Sequence, residues 1–108
     1  MVDQTQAPLT ETVYYTLLAL DAPLHGYGIM QRVAEMSAGR VRLGAGTLYG
    51  ALATLVERGW ISAVGENGAD RRKDYMITAM GRGVVAREIT RLEELLAAGR
   101  RFGKGEER

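Results

Sequence analysis

The chain has 108 residues, two prolines, no cysteine and a formal net charge of +1, with 46% hydrophobic and 25% charged residues. That balance predicts one folded domain with a real apolar core and excludes a largely disordered chain. The absence of cysteine and the single histidine, His25, remove disulfides, thiolate catalysis and every Cys/His zinc site, so no metal or cofactor is expected.

In residues 9–20, Leu9, Val13, Leu17 and Leu20 recur at helical spacing, with Thr10 and Glu11 as a start and Asp21-Ala22-Pro23 as a stop. A turn containing Gly26, Tyr27 and Gly28 leads into a second helix on which Ile29, Val33 and Met36 share a face, ending at Ser37-Ala38-Gly39. Arg40-Val41-Arg42-Leu43 alternates and predicts a short strand or an extended link. After Gly44-Ala45-Gly46, Thr47 stands as the expected N-cap of a third helix, whose core face is Leu48, Leu52 and Leu55 and whose end is Gly59. The opposite face is small or hydrogen-bonding, with no lysine or glutamate before Glu57, whereas a face meant only for water carries more charge.

Residues 60–64 and 74–78 have strand composition and flank a Gly/Asn-rich loop, which predicts a hairpin. The densest basic run of the chain, Arg71, Arg72 and Lys73, falls at the hairpin loop. It belongs to an uneven charge distribution in which the first 70 residues are net acidic and the remainder net basic. A last helix carries Val85, Ile89, Leu92 and Leu96 as a continuous stripe, more apolar surface than a hairpin covers, so a homodimer seam is expected there. The predicted fold is mainly α with a small β-hairpin: a winged helix-turn-helix over residues 1–80, a dimerisation helix over 81–99 and a disordered tail from 100 to 108.

Position gives the basic run its meaning. A winged helix-turn-helix sets its third helix in the major groove of double-stranded DNA and its wing cations on phosphates or in the minor groove. Hydroxyls on the helix serve base edges, and Arg42 lies just upstream of a helix N-terminus able to hold a phosphate. The segments His25-Gly26-Tyr27-Gly28-Ile29, Gly46-Thr47-Leu48-Tyr49, Gly59-Trp60-Ile61 and Arg71-Arg72-Lys73-Asp74-Tyr75, followed by Ile77-Thr78-Ala79-Met80-Gly81-Arg82, together resemble the PadR-like family of bacterial transcriptional regulators. The resemblance covers roughly residues 9–96. It implies a dimeric winged-helix DNA-binding protein, usually a repressor, whose C-terminal helix pairs with helix 1 of the other subunit; one short C-terminal helix places it in the compact branch.

The candidate DNA contacts are Tyr27, Arg42, Thr47, Tyr49, Gly50, Thr54, Arg71, Arg72 and Lys73, and the candidate dimer residues are Leu9, Val13, Val85, Ile89, Leu92 and Leu96. The resemblance also implies a small-molecule effector or stress signal, with the space between helix 1 and the last helix, at Tyr14, Leu18 and Leu92, as its expected pocket. Two departures stand out. Gly50 and Val56 occupy positions where the family often has proline and an acid, and the tryptophan that small drug-binding members can carry on the C-terminal helix is missing, Trp60 being expected in the core.

Competing readings are weaker. His25 reads as a turn or capping residue, Gly44-x-Gly46 lacks the third glycine of a dinucleotide fingerprint, and Ser37 and Ser62 have no neighbouring base, so no enzyme is expected. The alternative to a DNA reader is a winged-helix module that binds another protein, which would lack steep salt dependence. No apolar run reaches the ~18–20 residues of a membrane span and no leader precedes the first helix, so a soluble, cytoplasmic protein with no membrane partner is expected.

Overall fold

The computed structural model describes residues 6–66 and 73–105. Its element order is α1 (Glu11–Ala19), β1 (Leu24–His25), α2 (Gly26–Met36), α3 (Ala45–Glu57), β2 (Ile61–Glu66), β3 (Lys73–Ile77) and α4 (Ala79–Gly105). Thr10 starts α1 as expected, its Oγ1 accepting from the Val13 amide at 3.1 Å. Leu17 and Leu20 from this region, Ile29 and Val33 from α2, and Leu48, Leu52 and Leu55 from α3 are all buried, so the three helical faces legible in the sequence meet in one core. Thr16 is buried among them without penalty because its hydroxyl donates to the Thr12 carbonyl at 2.7 Å.

Helix ends follow local chemistry. After α3, Gly59 takes φ +80°, its amide donating to the Val56 carbonyl at 3.0 Å while the Trp60 amide reaches Leu55 at 3.0 Å. That paired bonding satisfies the last carbonyls and throws the chain directly into β2. After α2 the same role falls to Ala38 at φ +55°, followed by Gly39 at φ +81°. Residues 40–43 then form an irregular link with no strand pairing.

The N-cap of α3 is Gly44, not Thr47, which lies inside the first turn. The cap falls three residues before the expected one because Ala45 is a strong helix former and Gly44 costs little at a cap.

The expected hairpin is present, with Ile61 opposite Ile77 and Ala63 opposite Tyr75. A third strand joins it: β1 pairs antiparallel with β3, Leu24 opposite Tyr75 and His25 opposite Asp74, giving the order β1-β3-β2. Two residues are too short to show alternation, which is why the sequence read them as a turn. His25 is also the backbone N-cap of α2, though its side chain makes no capping bond.

Helix α4 runs past its expected C-terminal end. It starts at Ala79, where the Thr78 hydroxyl accepts from the Gly81 amide at 3.0 Å and donates to the Gly59 carbonyl at 2.6 Å. It continues through Gly105, so the break expected at 99 and the disorder expected from 100 are not found as far as 105. Alanines and arginines between the glycines favour helix, and each glycine costs only ~1 kcal/mol. Residues 106–108 lie outside the described part.

The first half of α4 is bound into the head by Val84, Val85 and Glu88, which are 2%, 9% and 2% exposed. Glu88 accepts from Arg91 at 2.9 and 2.6 Å and from the Leu9 amide at 3.4 Å, while Gln6 donates to the Val84 carbonyl at 3.3 Å. The Arg91 guanidinium holds the Glu88 carboxyl below the usual carboxylate range even though burial pushes it up. This contact lays residues 6–10 along α4, a polar link that apolar periodicity could not reveal.

Candidate nucleic-acid interface

Helix α3 turns Leu48, Leu52 and Leu55 inward, so at about 3.6 residues per turn its outward centre consists of Gly46, Gly50, Ala53 and Glu57. A Cβ built at Gly44, Gly46 or Gly50 would meet no atom within 4 Å, so this end of the helix is open to an approaching surface. No side chain caps the N-terminus and no acid occupies the first turn, leaving the amide ends able to face an anion.

The hydroxyl-bearing candidates divide between the two flanks. Thr47 and Thr54 are exposed on one side, where Thr54 borders a cavity of about 330 Å³ shared with Pro8, Leu9 and Trp60. Tyr49 is 51% exposed on the other side, its ring lying across the first turn of α2 at Gly26. Tyr27, 62% exposed at the start of α2, sits within a long 3.5 Å contact of the Gln31 amide nitrogen.

Arg42 is exposed, and its guanidinium lies over Gly39, where an added Cβ would be 3.1 Å from Nη2. It therefore folds back toward the end of α2 rather than along α3. Lys73 is exposed at the first residue of β3. Arg71 and Arg72 fall outside the described residues. The strand that carries Lys73 is anchored on both sides by β1 and β2, which fixes the base of the wing relative to α2.

The expected dimer residues also divide. Val85 belongs to the chain's own core, and Leu9 and Val13 are half-buried against it. The open part of the stripe begins one turn later: Ile89, Leu92, Leu95 and Leu96 are 41%, 39%, 57% and 55% exposed, and Phe102 is 70% exposed. From residue 92 onward every described side chain of α4 is exposed. An apolar row of this length is more than isolated surface leucines require.

Between α1, α2 and α4 lies a groove of about 420 Å³ with Leu18, Ile77, Val85 and Ile89 in its lining and Arg32 and Arg82 among its polar groups. Arg82 donates to Asp21 Oδ1 at 2.8 Å at its edge. Of the expected pocket residues, Leu18 lines this groove, whereas Tyr14 and Leu92 do not. Tyr14 instead makes an edge contact with Tyr15, the ring centroids 6.1 Å apart. Arg32 and Ile77 were missed because the groove joins four elements distant in sequence, and no spacing rule connects them. Among the described residues no cluster of three or more potential metal-ligating side chains forms, and no helix is long and apolar enough to cross a membrane.

Residues 12–87 match the transcriptional regulator PadR-like family. A PadR family transcription regulator from Clostridium difficile has the same fold, with a TM-score of 0.74 and 22% identity, covering 86% of this chain and 98% of that one. A PadR family regulator from Eggerthella lenta gives a TM-score of 0.67 at 29% identity, covering 85% and 78%. A 37.1 kDa protein in transposon TN4556 of Streptomyces fradiae is 38% identical over 75 residues, 69% of this chain, and the chain spans only 21% of that relative's length. These matches are to transcriptional regulators, not enzymes, where a function is stated. With the family match covering most of the chain, on a winged-helix frame that presents α3 outward, this protein belongs to the PadR-like family of DNA-binding transcriptional regulators.

Proposed function

We propose that the chain is a repressor that binds a pseudo-palindromic operator as a homodimer, with α3 in the major groove and the wing on the flanking backbone. The open outer face of α3, uncharged up to Glu57 at its last residue, carries this reading: small residues at Gly46, Gly50 and Ala53 let the helix approach base edges, and its uncapped N-terminus favours a phosphate. Thr47 and Thr54 line the flank of that approach. Tyr27, Arg42 and the wing residues Arg71, Arg72 and Lys73 act on the backbone. The exposed row from Ile89 to Leu96 joins two subunits, with Leu9 and Val13 at the edge of the seam and Val85 supporting it from the core. A small-molecule effector in the groove at Leu18 would lie between the head and α4, where it could alter the spacing of two recognition helices.

The wing gives the direct test. Replacing Arg71, Arg72 and Lys73 with alanine should weaken binding to operator and random DNA alike and reduce the slope of log affinity against log salt by about 0.9 per lost phosphate contact. An unchanged slope contradicts the wing's place in the interface. Binding that shows no salt dependence even in the unaltered chain favours a protein partner instead.

A further inference from the structure

We infer that Gly26 and Tyr49 form the joint that sets the angle between α2 and α3, and that Tyr49 acts on DNA selectivity by positioning α3 rather than by reading a base. This rests on the assignment of α3 as the recognition helix. Gly26 is buried at the first residue of α2, and it is not among the glycines with positive φ, so its backbone gives no reason for glycine. The reason is space. A Cβ at Gly26 would lie 2.3 Å from Tyr49 Oη, 2.8 Å from Cζ and 3.2 Å from Cε1, and those Tyr49 atoms are its three nearest neighbours.

The phenol of α3 therefore occupies the volume that the side chain of any other residue at position 26 would fill. Gly26 is buried and its backbone cannot retreat, so an added Cβ would have to displace the half-exposed Tyr49 ring from the first turn of α2. The neighbouring glycine serves a separate packing: a Cβ at Gly28 would meet Leu24 Cδ1 at 2.7 Å. The two glycines of His25-Gly26-Tyr27-Gly28 thus seat two different side chains, one from α3 and one from β1. Gly50, one residue beyond Tyr49, meets nothing within 4 Å and has no seating role.

The hydroxyl end of Tyr49 comes nearest to Gly26, and ring atoms Cζ and Cε1 lie directly behind it, so a ring without its hydroxyl still fills most of the joint. A ring resting against the first turn of α2 sets how α3 projects, and small changes in projection alter base contacts while phosphate contacts persist. Selectivity should follow the joint even in variants that leave every groove-facing residue intact.

The test uses the full chain, a duplex selected by the unaltered protein from a random-core library, and poly(dI-dC) as the unselective reference. Gly26→Ala and Tyr49→Ala should each lower the selected-to-reference affinity ratio at least about tenfold, and Tyr49→Phe should keep it within about twofold. The double variant should resemble the single ones, because both substitutions act on one and the same contact, Gly26→Ala by crowding it and Tyr49→Ala by removing it. Melting supplies a readout that survives a poorly folded variant: Gly26→Ala should lower Tm in the unaltered chain and leave it unchanged or raise it in the Tyr49→Ala background.

Loss of selectivity in Tyr49→Phe equal to that in Tyr49→Ala overturns the proposal, since the hydroxyl would then be reading DNA. An unaltered ratio in Gly26→Ala, or additive losses in the double variant, overturns it as well. Ala53→Glu separates failure of this joint from failure of the recognition assignment: a charge on the outer face should abolish binding to both DNAs if α3 enters the groove, whatever Gly26 does.

Discussion

Leu96→Glu should yield a folded monomer that no longer binds operator, with its far-ultraviolet spectrum and the melting of the head largely preserved. Leu96 is 55% exposed in the single chain and touches none of the buried core, so a charge there costs the isolated head little. In a dimer it would sit in an apolar seam built from Ile89, Leu92, Leu95 and Leu96, and an unpaired buried carboxylate is among the most costly single substitutions. The four side chains contribute a gross roughly 6–12 kcal/mol per subunit before association costs, enough to hold a dimer intact and to be lost with one charge. Val85→Glu provides the contrast. Val85 is 9% exposed within the head core, so that variant should unfold the domain rather than merely separate it. Sedimentation with circular dichroism distinguishes the two, and a dimeric, operator-binding Leu96→Glu chain would remove the stripe from the assembly.

The second large effect falls on Gly81. Alanine in a helix is ordinarily favoured over glycine by about 1 kcal/mol, yet Gly81→Ala should destabilise this protein. A Cβ at Gly81 would stand 2.1 Å from the Trp60 carbonyl oxygen and 2.7 Å from Ile77 Cγ1. The first contact is with backbone, which cannot rotate away, and the Trp60 carbonyl already accepts from the Thr78 amide at 2.9 Å. Overpacking of this kind costs about 1–3 kcal/mol, which for a domain of this size lowers Tm by on the order of 10 °C. Because this is where α4 is seated on Trp60 and the end of β3, the same substitution should change the angle at which α4 leaves the head. Gly83 is the control: its added Cβ would meet only Arg87 Nη1, at 3.6 Å, so Gly83→Ala should be neutral or stabilising. Thermal melts of both variants check the opposite signs, and a stable Gly81→Ala would contradict the close seating of α4.

These effects show which physical signals sequence carries. Apolar periodicity made the inward faces of α1, α2 and α3 legible, since Leu17, Ile29, Val33, Leu48, Leu52 and Leu55 are selected for burial on one side of a helix and are all buried here. Periodicity does not say what a stripe packs against, so Val85 and Ile89 looked equivalent although one is core and the other open. The N-cap was misplaced at Thr47 because a hydroxyl is only one way to start a helix, and Gly44 starts it with backbone geometry alone. β1 escaped notice because its pairing with β3 depends on tertiary contact and not on a pattern two residues long. The buried Glu88 and the Gly26 seat were invisible for a related reason: each is defined by a residue far away in sequence, Leu9 for one and Tyr49 for the other. The candidate interface was readable from element order and the unusual face of α3. The division of its hydroxyls between two flanks required the fold.

The most direct test of a dimer that sets two α3 helices in DNA is hydroxyl-radical footprinting on the region upstream of the chain's own gene. Two protected patches are expected on one face of the duplex, centred about one helical turn or a whole multiple of it apart and related by approximate two-fold symmetry. A single patch, protection without symmetry, or no protection at protein concentrations where the dimer is populated would contradict it.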